Sequence, residues 1–105
     1  MAQQPDYGVK HHFSSGVYIK SMSLDVGNTV ETHSHLYEHF GILTSGVAGV
    51  TIDGIETVYA APQIIVIAAG KKHQIRALTG IDWLCVHATE ETDPGKVDRV
   101  LIKGV

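Results

Sequence analysis

Short runs rich in Val, Ile and Tyr, separated by Gly, Pro or Asp, follow one another from residue 16 to residue 88 with almost no helical periodicity. That pattern predicts eight strands, over residues 16–26, 30–35, 38–45, 48–53, 55–60, 64–68, 72–78 and 81–88. The sharpest local signal is "TIDGIET", where Asp53-Gly54 sits between β-branched residues. A two-residue type I′ turn needs positive φ at both central positions, and Asp-Gly supplies it cheaply, so a hairpin is expected there. Many short strands at regular spacing argue for an all-β sandwich or barrel, because antiparallel sheets escape exposed edges by closing on themselves.

Size and charge narrow what such a barrel can do. A chain of 105 residues with 44% hydrophobic content supports one domain and is too short for two. The expected organisation is a single domain over 1–105, with a core at 16–88, an N-terminal arm at 1–15 and a C-terminal tail at 89–105. The tail opens with a polar "TEETDPG" turn and continues into "KVDRVLIKGV", an edge strand or a short helix. Net charge is −3 and the Lys and Arg residues are scattered, which excludes a stripe that could follow a phosphate backbone, so no nucleic-acid partner is expected. Met1 to Asp6 lack the features of an export signal, and no apolar run approaches the roughly 20 residues of a membrane helix. Cys85 is the only cysteine, so no intrachain disulfide forms; a cytoplasmic, soluble chain with no membrane partner is the expectation. The mostly apolar segments "VYIKSMSLDV" and "VDRVLIKGV" are candidates to pair across a two-fold axis, which predicts a homodimer.

The chemistry concentrates in "ETHSHLYEHFGILTSG", with His33, His35 and His39 inside seven positions. Residues two apart on a strand point to the same face, so His33 and His35 can aim two imidazoles at one point, and His39 has the same parity. "AAGKKHQI" adds His73 at the start of another strand. One histidine in a turn means little, but several convergent imidazoles are what a metal site requires, and imidazole suits Fe, Mn, Co, Ni, Cu and Zn. His33, His35, His39 and His73 are therefore the expected ligands of one divalent transition metal.

The same residues carry a family resemblance. Gly27, five residues, His33, one residue, His35, three residues, His39, six residues and Gly46 resemble the first cupin motif, with His39 where that motif usually has glutamate. Fifteen residues later "PQIIVIAAGKKHQIRA" resembles the second motif at Gly70 and His73, while Pro62, Ala68 and Ala77 stand where glycine, proline and asparagine are usual. The resemblance covers roughly residues 16–88. It implies a double-stranded β-helix, a jelly-roll barrel with the metal inside near one end. It also implies similarity to small single-domain cupins with an all-histidine site that hold Mn, Fe, Ni, Cu or Zn.

Glu38, the obvious carboxylate, stands one residue too early for the motif and is read as exposed or as a neighbour of the ligands. Four neutral ligands leave the ion its full charge, which favours anionic or enolisable oxygen ligands and strengthens its Lewis acidity. In "IDWLCVHATEE", Trp83, Cys85 and His87 alternate with Leu84, Val86 and Ala88, and the sequence leaves open which set faces inward. Cys85 is read as a small buried hydrophobe or as a thiol lining the cavity. His87 is read as lying at the surface near the strand end, the alternative being a residue beside the ligands; His11 and His12 are assigned to solvent, and Lys71 and Lys72 to a solvated turn, the alternative being a pair that draws anions to the barrel mouth. Leu43, Ile52, Ile65, Ile67 and Ile75 are assigned to the core or cavity wall. No strong general base stands out, which favours metal-centred oxygen chemistry. The expected function is a metal-dependent oxidoreductase of dioxygenase type acting on a small oxygen-chelating substrate; the alternative is a non-catalytic binding or sensing module whose metal is structural or holds a ligand.

Overall fold

The computed structural model describes residues 8–32, 37–89, 92, 93 and 96. They form nine strands: β1 (Lys10–Ser14), β2 (Val17–Leu24), β3 (Thr29–Thr32), β4 (His39–Ser45), β5 (Val47–Ile52), β6 (Ile55–Ala60), β7 (Gln63–Ile67), β8 (His73–Ala77) and β9 (Ile81–Ala88). A five-stranded sheet in the order β1-β2-β9-β4-β7 faces a four-stranded sheet in the order β3-β8-β5-β6, with every pairing antiparallel. This is the expected jelly roll. No helix is long and apolar enough to cross a membrane among the described residues.

Alternation builds the core. In β9 the residues Ile81, Trp83, Cys85 and His87 are buried and their neighbours are not, and in β2 the buried set is Tyr18, Met22 and Leu24. Trp83, Leu43, Ile67 and Ile75 are completely enclosed between the sheets. Each large apolar side chain removed from water contributes about 1.5–3 kcal/mol, so the inward rows of both sheets hold the layers together. Leu43, Ile65, Ile67 and Ile75 lie in the core as expected, and Ile52 packs against it from a partly buried position. Trp83 packs on β4 at Gly41, where a Cβ would overlap the indole ring. The large ring has room inside so small a barrel because the neighbouring strand β4 carries no side chain there.

The Asp53-Gly54 hairpin forms with φ of 52° and 80°, the two positive values that a type I′ turn requires. All eight expected strands are present with small changes at their ends, except that residues 33–35 lie outside the described residues, as do most of the tail residues. The structure adds β1, which lies in the stretch read as an arm. Ser15 and Gly16, with φ of 43° and 81°, turn the chain back so that β1 pairs along β2 from Lys10↔Ser21 to Ser14↔Val17. The segment "VYIKSMSLDV" is therefore flanked by β1 and β9 and is not an edge; β1 and β7 are the edges of that sheet.

Candidate metal centre

Three strands from both sheets bring buried histidines together. His39 opens β4, His73 opens β8 and His87 lies near the end of β9; they are 4%, 3% and 5% exposed. The His39 and His73 rings approach across the barrel with centroids 5.7 Å apart, and His87 stacks on His39 at 4.4 Å with the planes 26° apart. Cys85, two residues before His87 on the same strand face, is also buried. The ligand atoms of His39, Cys85 and His87 all lie within 4.8 Å of one another. Donors of a single ion bound at about 2.0–2.3 Å can be separated by up to roughly 4.5 Å, so small side-chain adjustments would let this cluster converge on a metal.

The register of β9 decides between the two faces left open by the sequence: Trp83, Cys85 and His87 point inward. Cys85 thus sits in the interior beside His39, a position that fits both a small buried hydrophobe and a thiol lining the cavity. Burial pushes its thiol above the ordinary value, and the Trp83 side chain and the charge of Lys20 pull it partly back. His87 is a correction. The surface placement does not hold: pairing opposite Tyr18 and parity with Trp83 carry the ring inside, against His39, which agrees with the alternative of a residue beside the candidate ligands.

The ring stack continues beyond His87. Tyr18, 1% exposed, lies 5.8 Å from the His87 ring centroid, and Phe13 covers Tyr18 at 4.8 Å. The Tyr18 hydroxyl is hydrogen-bonded to His11 Nδ1 at 2.7 Å. The His11 side chain is exposed as expected, but it serves as the polar partner of a buried phenol.

His33 and His35 lie outside the described residues. The chain approaches them from β3, whose last residue, Thr32, pairs with His73. Glu38 is exposed, as expected, and borders an opening of about 210 Å³ whose floor includes His39 and His87. A larger cleft of about 640 Å³ on the four-stranded sheet is lined by Glu31, Thr51, Asp53, Lys72, His73 and Gln74. That volume is in the range of small-molecule sites. Lys71 is held by Asp53 at 2.6 Å on the surface, in keeping with a solvated turn.

A donor set of buried imidazoles with a nearby thiol suits a divalent transition ion of borderline softness. Burying several titratable rings side by side is costly for packing alone, since apolar side chains fill a core without desolvating polar atoms.

A family model described as "Cupin domain" matches residues 20–87. No curated protein matches the sequence significantly. Among solved structures, a conserved protein of unknown function from Streptococcus pyogenes superposes with a TM-score of 0.66 at 26% identity, covering 84% of this chain and 80% of that one. A cupin protein from Bacteroides fragilis gives 0.69 at 21% identity, covering 90% and 87%. The cupin domain of an XRE family transcriptional regulator from Enterobacter cloacae gives 0.67 at 20% identity, covering 79% and 96%.

Proposed function

The chain belongs to the cupin family, and from that membership and the buried histidine cluster we propose a metal-dependent oxidoreductase of dioxygenase type, acting on a small organic substrate that chelates through oxygen. Its ligands are His33, His35, His39 and His73. The observation that carries this reading is the approach of His39 from one sheet and His73 from the other, with ring centroids 5.7 Å apart. Its support from the backbone is that β3 ends opposite His73, one residue before His33. A divalent ion held there supplies Lewis acidity and, when it is redox-active, electrons for dioxygen chemistry.

The protein's own groups do the rest. His87 stacks on His39 and fixes the plane of that imidazole, as groups around a metal ligand commonly do. The fully buried Trp83 and Leu43 help keep water out of the interior, which strengthens polar interactions there. Because the four ligands are neutral, an anionic oxygen substrate meets an undiminished positive charge. Cys85, kept reduced, suits a cytoplasmic setting.

A second reading rests on a different cluster. His39, Cys85 and His87 form a three-donor set, and a thiolate in a buried position suits a closed, structural ion of the kind a binding or sensing module uses. The domain of a transcriptional regulator shares this fold, so the fold alone does not choose between the two.

The test is anaerobic reconstitution with Fe, Mn, Ni, Cu and Zn in turn, followed by dioxygen uptake against diketones, catechols, flavonols and thiols. Uptake that depends on both metal and substrate is expected. Tight metal binding with no uptake across the panel would favour the binding module.

A further inference from the structure

β2 carries a cation on its inward side. Tyr18 and Met22, two residues to either side of Lys20, are buried, and side chains two apart on a strand share a face. Lys20 is also the register partner of Cys85, which points into the barrel, and residues directly opposite on paired strands stand on the same face. The row extends to His11 on β1. Lys20 is half-buried there, and its charge reaches the Cys85 thiol. Among the described strand residues it is the only lysine or arginine that faces inward. Lys10 pairs with Ser21 on the outward side of the same sheet, and Arg76 lies on the outside of the other sheet against Glu56.

No carboxylate among the described residues pairs with this ammonium. Its row neighbours are His11 and Cys85; Asp53 and Glu56 are taken by Lys71 and Arg76, and Asp82 accepts the Ser23 hydroxyl. A partly desolvated charge is costly unless it is paired. Packing alone does not call for it, since a methionine fills the next inward position of the same strand without that cost. The place of Lys20 also ties it to the histidine cluster. Tyr18 stacks on His87 and His87 on His39, and β2 and β4 flank β9, so Lys20 and His39 belong to strands about 10 Å apart, a gap that a four-carbon stem narrows. We propose that Lys20 anchors a carboxylate: the molecule held beside the histidines is a small organic acid whose anion pairs with this ammonium. The inference rests on the proposed function, which puts a small ligand beside the cluster, and it adds the class of that ligand. A compact ammonium with three donors matches one carboxylate, and the charge-assisted hydrogen bond turns the acid so that its carboxylate lies toward β2.

The test is anaerobic calorimetry on the zinc-loaded full chain, as wild type, Lys20→Met and Lys20→Arg, with two matched pairs of probes: lactate against its amide and protocatechuate against its amide. Zinc has no redox chemistry, so binding alone is read. Wild type is expected to bind at least one of the acids about tenfold or more tightly than the matching amide. Lys20→Met keeps the packing of the stem and should erase that preference, with zinc content and amide affinity held to within about twofold. Lys20→Arg should retain most of the preference. Lys20→Gln replaces Lys20→Met if the latter does not match the wild-type circular dichroism spectrum. An acid preference that survives the loss of the charge would overturn the proposal, as would a wild type that binds neither acid or prefers neither to its amide. A chain that takes up no zinc would defeat the four-histidine reading instead. The same comparison on the metal-free chain then decides the role of Lys20: an acid preference that depends on it supports the anchor, and the lack of one overturns it.

Discussion

Cys85 has the most distinctive environment among the candidate residues. It faces the same interior as His39 and His87, yet burial disfavours its thiolate. A raised pKa means less thiolate at any neutral pH, and burial blocks approach, so iodoacetamide should label the folded protein far more slowly than the urea-unfolded chain at pH 7.5. Equal rates would show that the thiol is accessible. The His11–Tyr18 pair makes a second residue-scale prediction. Tyr18→Phe removes one partly buried hydrogen bond and keeps the stacking, and it should cost about 0.5–1.5 kcal/mol in urea denaturation. The four candidate histidines stand out in the sequence because HxHxxxH is dense and its motif spacing is specific; of the four, the described residues include His39 and His73, both buried. His87 does not, because alternation in "IDWLCVHA" places an apolar residue on both faces of the strand. Leu84 and Val86 look like core in a sequence because the outer face of this sheet is itself apolar.

At the scale of elements, turn chemistry and alternation carried most of the information. Asp53-Gly54 announced its hairpin, and six further runs rich in Val, Ile and Tyr announced strands. β1 escaped because "KHHFS" has no apolar alternation to read; it lies at a sheet edge with only Phe13 half-buried, and pairing with β2 makes it a strand. Sheet edges take their structure from a neighbour, a long-range fact that local pattern does not hold. Gly41 shows the same limit. It reads as an ordinary glycine in an apolar run, and only the pairing of β4 with β9 shows that it makes room for Trp83. Gly41→Val would drive a branched side chain into that ring and should cost about 1–3 kcal/mol or more, read as a lower thermal midpoint. A midpoint equal to wild type would mean that the indole can move aside. Gly54→Ala, placed at φ of 80° with open space around it, should cost only the backbone strain, about 1 kcal/mol.

For the molecule as a whole, strands distant in sequence converge on one point: β4 and β9 from one sheet, β8 from the other, with β3 leading into His33. An ion bound at that point, as proposed, would tie both sheets together and bind only the folded chain, so it should raise stability by RT ln(1 + [L]/Kd), about 2.7 kcal/mol at a hundredfold excess over Kd. Removal of metal with a chelator should lower the thermal midpoint by several degrees, and restoring the ion should reverse the loss. The most direct check on the ligand set is elemental analysis of wild type, His35→Ala/His73→Ala and Cys85→Ala, each purified identically and verified as folded. The four-histidine assignment predicts about one ion per chain in wild type and in Cys85→Ala, and almost none in the double variant. Unchanged metal in the double variant, or loss of metal from Cys85→Ala, would contradict it.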